Sequence, residues 1–129
     1  MRTPPYDYER AFLDAPPDHR GMLIVATSPF FFRDRVQIAD FAFRQRIASV
    51  FVFREWVDAG GLLSYGPSLA AQFVRVAEFV DRIARGAKPA DLPIEQPTKF
   101  ELVVNLKTAK AIGIALSTAI LLRADEVIE

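Results

Sequence analysis

The clearest pattern along the chain begins at Ser68. Leu69, Phe73, Val76, Ala77, Val80, Ile83 and Ala84 recur at i, i+3, i+4, i+7 spacing, while Gln72, Arg75, Glu78, Asp81, Arg82 and Arg85 take the positions between them. Such a period predicts an amphipathic helix over 68–85. Glu78 with Arg82, and Asp81 with Arg85, stand in the favourable i, i+4 order. Gly66-Pro67 supplies the turn before it and Gly86 a stop after it. Upstream, Gly60-Gly61 interrupts the chain, and Leu62–Tyr65 is an apolar segment of strand length.

The flanking segments alternate in kind. Tyr6–Ala15 reads as a short amphipathic helix with Tyr8, Phe12 and Ala11 or Ala15 inward, ended by Pro16-Pro17. Met22–Ala26 is an unbroken apolar run, which predicts a strand buried on both faces. Thr27–Phe32 reads as a loop at that strand's carboxyl end. Arg33–Arg46 follows as a helix with Val36, Ala39 or Asp40, Phe43 and Ile47 near its inner edge. Ser49–Phe53 predicts a second buried strand, and Arg54–Ala59 two helical turns stopped by Gly60-Gly61. This alternation predicts a doubly wound α/β layer. Ala87–Thr98 holds three prolines and reads as an extended connection. Phe100–Asn105 reads as a strand with one exposed face. Asn105 is placed to cap a helix over Leu106–Ile112 with Gly113 behind it, and Ser117 to cap a last helix through Ile128. The expected fold is a three-layer α/β/α arrangement around a mainly parallel sheet.

Composition narrows the function. The 129 residues are 51% apolar and 25% charged, with lysine plus arginine equal to aspartate plus glutamate at 16 each. Zero net charge removes the basic footprint of a nucleic-acid binder, so no nucleic-acid partner is expected. There is no cysteine, and His19 is the one histidine, in a polar turn where a solvated side chain is expected. A His/Cys zinc site is therefore excluded. No nucleophile elbow, phosphate loop or dinucleotide fingerprint occurs, so no cofactor and no catalysed reaction are expected. No apolar run reaches the length of a membrane helix, and Met1–Asp7 lacks the apolar core of a signal peptide.

The candidate chemistry lies in loops. Ligands of open α/β sheets bind outside the carboxyl ends of the strands. Thr27–Phe31 and Arg54-Glu55-Trp56 border such a crevice. Phe30, Phe31 and Phe32 cannot all enter one core, so at least one is expected at a surface. They serve either to plug the next helix onto the sheet or as an aromatic wall for a small ligand.

Gly60–Pro67, Phe79–Pro93, Glu95–Gly113 and Leu122–Ile128 closely resemble the C-terminal part of a family of ABC-transporter substrate-binding proteins related to the type I periplasmic binding proteins. Asp34–Trp56 resembles the unit that precedes them. The resemblance implies two α/β lobes with a small organic, amino-acid-like solute held between them for delivery to an ABC permease, in the periplasm. It implies that this chain is a single truncated domain, about the last two-fifths of a member. Residues 1–59 would be βα units of the second lobe, 60–86 the crossover strand and helix toward a missing lobe, and 87–129 the extended connection, a strand and C-terminal helices. As written, without an export signal, the chain would stay in the cytoplasm. The half-cleft residues implied are Ser28, Pro29, Phe30, Phe31, Arg54, Glu55, Ser64 and Tyr65. The aromatics would stack on the solute, Arg54 would pair with a carboxylate, and Ser28 and Ser64 would donate hydrogen bonds. In the family the apolar face of the 68–85 helix packs on the missing lobe, so here the helix is expected either to fold back on its own strands or to be covered by a second copy, in a homodimer exchanged through Gly60-Gly61 or through 87–98. The competing expectation is a self-associating structural domain with no ligand.

Overall fold

The structure is a computed structural model describing residues 6–129, apart from the side chain of His19. The expectations for Met1–Pro5 and for a solvated His19 lie outside the described residues. The chain runs α1 (Tyr8–Leu13), β1 (Met22–Ile24), α2 (Pro29–Arg33), α3 (Arg35–Arg44), β2 (Ala48–Phe51), α4 (Arg54–Asp58), β3 (Leu63–Pro67), α5 (Leu69–Ala84), β4 (Phe100–Asn105), α6 (Leu106–Ile112), α7 (Thr118–Arg123) and β5 (Glu126–Ile128). The five strands form one sheet in the order β1-β2-β3-β4-β5. Three of its four neighbour pairs are parallel, and β3 with β4 is antiparallel. The mixed α/β class and the mainly parallel sheet are those expected.

Register assigns the faces. Leu23 pairs with Ser49, Phe51 with Ser64, and Ser64 with Val103, so these side chains and Val25 share one side of the pleat. α3 and α4 cover that side, with Ile38 and Trp56 packed on Val25 and Phe51. Phe51 and Trp56 stack at 4.6 Å with 14° between their planes. At the other end of the strands, Leu62 packs with Ala109 and Ile112 of α6. Gly66 lies so close to β2 that a Cβ there would sit 2.1 Å from the Val52 carbonyl oxygen.

The sheet's second side is open toward β1. Ile24 is 71% exposed and Tyr65 60%, whereas Val104 on the same side is fully buried. This corrects the expectation that Met22–Ala26 is buried on both faces. β1 is an edge strand, and only Leu23 and Val25 turn toward the covered side. Helix α3 is also rotated from its expected setting. Ile38, Ala39, Phe41 and Ala42 are buried, while Val36 and Phe43 are exposed.

Caps fix the element ends. The Ser68 hydroxyl accepts from the Ala71 N–H, the Asn105 side chain accepts from the Thr108 N–H at 2.9 Å, and the Ser117 hydroxyl accepts from the Ile120 N–H. Gly113 takes φ +79°, the left-handed turn that ends α6. The last expected helix is cut short. α7 stops at Arg123, and the Asp125 carboxylate accepts from the Leu102 N–H at 2.8 Å. That contact docks 126–128 onto β4 as a strand.

α1 is pinned to the α2–α3 junction. The Tyr8 hydroxyl donates to Asp34 at 2.7 Å, and Phe12 meets Phe41 edge-on at 5.5 Å. Burial, then the hydrogen bond to Asp34, push the Tyr8 phenol up to about 12. Hydrogen bonds from Arg33 first, then Tyr8, hold the Asp34 carboxyl down at about 2.

Candidate functional site

A crevice of about 300 Å³ opens at the carboxyl ends of β1 and β2. Val25–Pro29 forms one wall, Val52 and Phe53 another, and Phe32, Trp56 and Leu69 close it from α2, α4 and α5. Local sequence builds each wall. Ser28 is extended, and Pro29 occupies the first helical position, where its fixed φ starts α2. Thr27–Phe32 is thus partly helical where a loop was expected. In that helix Phe32 turns toward Phe53 and meets it edge-on at 6.1 Å. Phe53 is extended ahead of α4, so Phe53 and Trp56 reach the same crevice. The Ser28 side chain makes no capping bond to α2.

Of the residues expected from the sequence, the structure brings Ser28 and Pro29 to this crevice. Phe30 is half exposed and meets Tyr6 edge-on at 6.0 Å. Phe31 turns the other way and lines a second cavity, about 290 Å³, beneath α1. The expectation that one of the three phenylalanines stays at the surface is met by Phe30. The plug and the wall turn out to be different rings, with Phe31 and Phe32 both against the core and Phe32 also facing the crevice.

Arg54 is engaged elsewhere. Its guanidinium donates two bonds to Glu126, at 2.9 and 3.1 Å, and lies 3.6 Å from Asp58. The Glu126 carboxylate raises the Arg54 pKa above its ordinary value. Glu55 is partly buried, and its Oε2 has no hydrogen-bond partner. Ser64 is buried on the covered face, beside Val103. Tyr65 points to the open face and stacks on Phe100 at 5.7 Å. Neighbours in a strand face opposite ways, so Ser64 and Tyr65 do not share a wall. Phe53 is the site residue the sequence reading missed; Trp56 is read there as bordering the crevice and Phe32 as one of three candidate wall rings, but neither enters the half-cleft set. The i, i+3 spacing of Pro29 to Phe32 and of Phe53 to Trp56 is the signal that carries them. Among the described residues no group of three or more His, Cys, Asp or Glu side chains could hold a metal ion.

A second groove, about 390 Å³, runs between α5 and residues 95–99. Arg75 crosses it, bonded to Glu95 and to Glu78, with its guanidinium 4.9 Å from the centre of the Phe79 ring. Arg75 and Glu95 hold each other charged, the arginine pKa raised and the carboxyl pKa lowered.

Residues 32–128 match the model of the ABC transporter substrate binding protein family. The chain belongs to this family. No curated protein sequence matches it. Among solved structures, a conserved domain protein from Vibrio cholerae O1 biovar El Tor is similar at TM-score 0.78 and 20% identity, covering 83% of this chain and 36% of that one. A structure described as the ABC domain in complex with L-Trp, from Streptococcus pneumoniae, is similar at TM-score 0.76 and 22% identity, covering 84% and 38%. The ligand-free, open structure of a substrate-binding protein with adhesive properties from Clostridium difficile is similar at TM-score 0.55 and 19% identity, covering 83% and 36%. The chain therefore spans a little over a third of the length of these structures, which share its fold. No helix among the described residues is long and apolar enough to cross a membrane.

Proposed function

We propose that this chain forms one wall of a solute-capture cleft and catalyses no reaction. The crevice at the ends of β1 and β2 carries this reading, because it combines apolar, aromatic walls with a few polar groups at the site where α/β sheets bind ligands. The solute is a small organic molecule with an apolar or aromatic side chain, amino-acid-like, stacked on Phe32 and Phe53 with Ser28 at its polar end. The L-Trp complex of the Streptococcus pneumoniae structure is in keeping with that class. Family membership supports delivery to an ABC permease in the periplasm as the role of the intact protein. Arg54 can serve a solute carboxylate only by giving up Glu126, so Phe32, Phe53 and Trp56 replace Phe30 and Phe31 as the principal wall.

Trp56 is the sole tryptophan and lies in the crevice, so its emission reports occupancy. Titration with L-leucine, L-phenylalanine and indole-free aromatic acids should shift that emission, with calorimetry used for L-tryptophan. Phe53→Ala should weaken binding about tenfold, the scale of one well-buried ring contact, and Phe30→Ala less than about twofold. Absence of any response up to millimolar solute would end this reading. The exposed face of α5 favours a second one, a self-associating domain with no ligand. In either case a second copy of the chain is the proposed partner, and exchange through Gly60-Gly61 or 87–98 is one route to it.

A further inference from the structure

The cavity beneath α1 is separate from the crevice at the ends of β1 and β2, although Val25 lines both. Neighbouring rings of α2 divide between them, Phe31 into the cavity and Phe32 into the crevice. The cavity holds about 290 Å³, and α1, β1, α2 and α3 all contribute to it, with Phe12, Leu23, Phe31 and Ile38 among its lining residues. Its α1 and β1 walls stand ahead of residues 32–128, so the family match does not account for them. The cavity is not a face left bare, because α1 is a cover of its own. Tyr8 latches that cover through its 2.7 Å hydrogen bond to Asp34, and Phe12 holds it by meeting Phe41 edge-on at 5.5 Å.

We propose that this cavity is a second binding site, for a small uncharged aromatic molecule. The volume is ample, since an apolar cavity of about 150 Å³ already takes up benzene. Charge is excluded. Tyr8 is the one polar side chain that lines the cavity among the described residues, and its hydroxyl is engaged by Asp34. With its pKa pushed up to about 12, that phenol stays neutral at physiological pH. An ammonium or carboxylate placed here would find no partner, and burying an unpaired ion is far too costly. A free amino acid therefore does not fit this site, which separates its ligand from the solute proposed for the crevice. Ring selection comes from the walls. Tyr8 meets Phe31 edge-on at 6.0 Å, and Phe12 meets Phe41 in the same way, so four aromatic rings border one space. A further ring adds edge-on or offset contacts to such pairs at centroid distances of about 4.5–7 Å. Entry is cheap, because α1 is six residues long and buries none of them, so it can lift. The proposal does not rest on solute binding at the crevice.

The test titrates the 129-residue chain with toluene and follows backbone amide resonances by NMR. Saturable shifts are expected at Leu23, Phe31 and Phe41, with a dissociation constant below about 1 mM. Ala15 lines the cavity, and Ala15→Phe should fill it and weaken binding at least about tenfold. Ala11→Phe, at an exposed lining position of α1, is a second filling variant should the first fail to fold, which circular dichroism checks. Phe53→Ala, in the crevice, should change toluene affinity less than about twofold. Absence of saturable shifts up to the solubility of toluene overturns the proposal. Shifts confined to Phe53 and Trp56, or a loss with Phe53→Ala as large as with Ala15→Phe, also overturn it by placing toluene in the crevice. Cyclohexane binding as tightly as toluene overturns the aromatic preference. Shifts of the same amides on raising the protein concentration alone overturn it as well, by giving the cavity to a second copy of the chain.

Discussion

Helices α4 and α5 flank the same strand and have opposite fates. α4 is five residues long and buries Trp56 and Val57 against β2 and β3. α5 is sixteen residues long, far more regular in pattern, and buries none of them. The shorter and less patterned helix is the one held in the core. Amphipathic spacing states that a helix has an apolar neighbour; it does not state that the neighbour belongs to the same fold unit. What holds α4 is the Phe51–Trp56 stack and the tight passage of Gly61 beneath it, where a Cβ would lie 2.5 Å from the Phe51 ring.

That contrast breaks most severely at Phe51. Phe51→Ala should cost about 3–5 kcal/mol, the range for deleting a buried aromatic ring, and denaturant melts would read it as a large drop in midpoint. A loss below about 1 kcal/mol would mean that α4 is no better anchored than α5. Gly66→Ala comes next. Its added methyl meets a backbone carbonyl that cannot step aside, so a loss of about 1–3 kcal/mol is expected by the same melts. Asn105→Ala removes the cap of α6 and should cost about 1 kcal/mol. Restoration of most of that by Asn105→Asp would identify the cap as the cause.

A smaller effect separates α1 from both helices through pH. Asp34 titrates at about 2 in the folded chain against an ordinary 3.8, so its contribution is present above about pH 4 and is lost as pH falls toward 2. Tyr8 titrates at about 12 against 10.0, so its contribution is present below pH 10 and is lost as pH rises toward 12. Thermal melts should therefore be flat between these windows with respect to this pair, and Tyr8→Phe should remove the alkaline decline. The smallest effect belongs to α5 itself. Val80→Ala should change the unfolding free energy of the dilute monomer by less than about 0.5 kcal/mol. A cost of 2 kcal/mol or more would show α5 packed within its own chain.

Much of the fold was legible wherever local chemistry decides it. β4 and α6 carry the expected bounds, because Asn105 and Gly113 act on their own neighbours. The misreadings occur where distant contacts decide. Asp125 docks on Leu102 from across the sheet, and a helix pattern through Ile128 holds no sign of that. Ile24 reads as buried because a run of five apolar residues does not reveal that β1 stands at an edge. At the candidate site, Ser28 and Pro29 were placed by the rule for strand ends. Arg54 was read as a free cation because Glu126, its partner, lies 72 residues away.

The antiparallel ladder between β3 and β4 bears on how the chain folds. Its five residue pairs join Leu63–Pro67 to Phe100–Val104 and enclose roughly thirty residues that include all of α5. Closing that excursion is an entropic search, and such searches set folding rates more than they set stability. Halving its length would lower the closure cost by only about 0.6 kcal/mol. The sheet is thus nearly indifferent to how long the excursion is, which leaves that stretch of the sequence free to be shaped by whatever it meets outside the sheet.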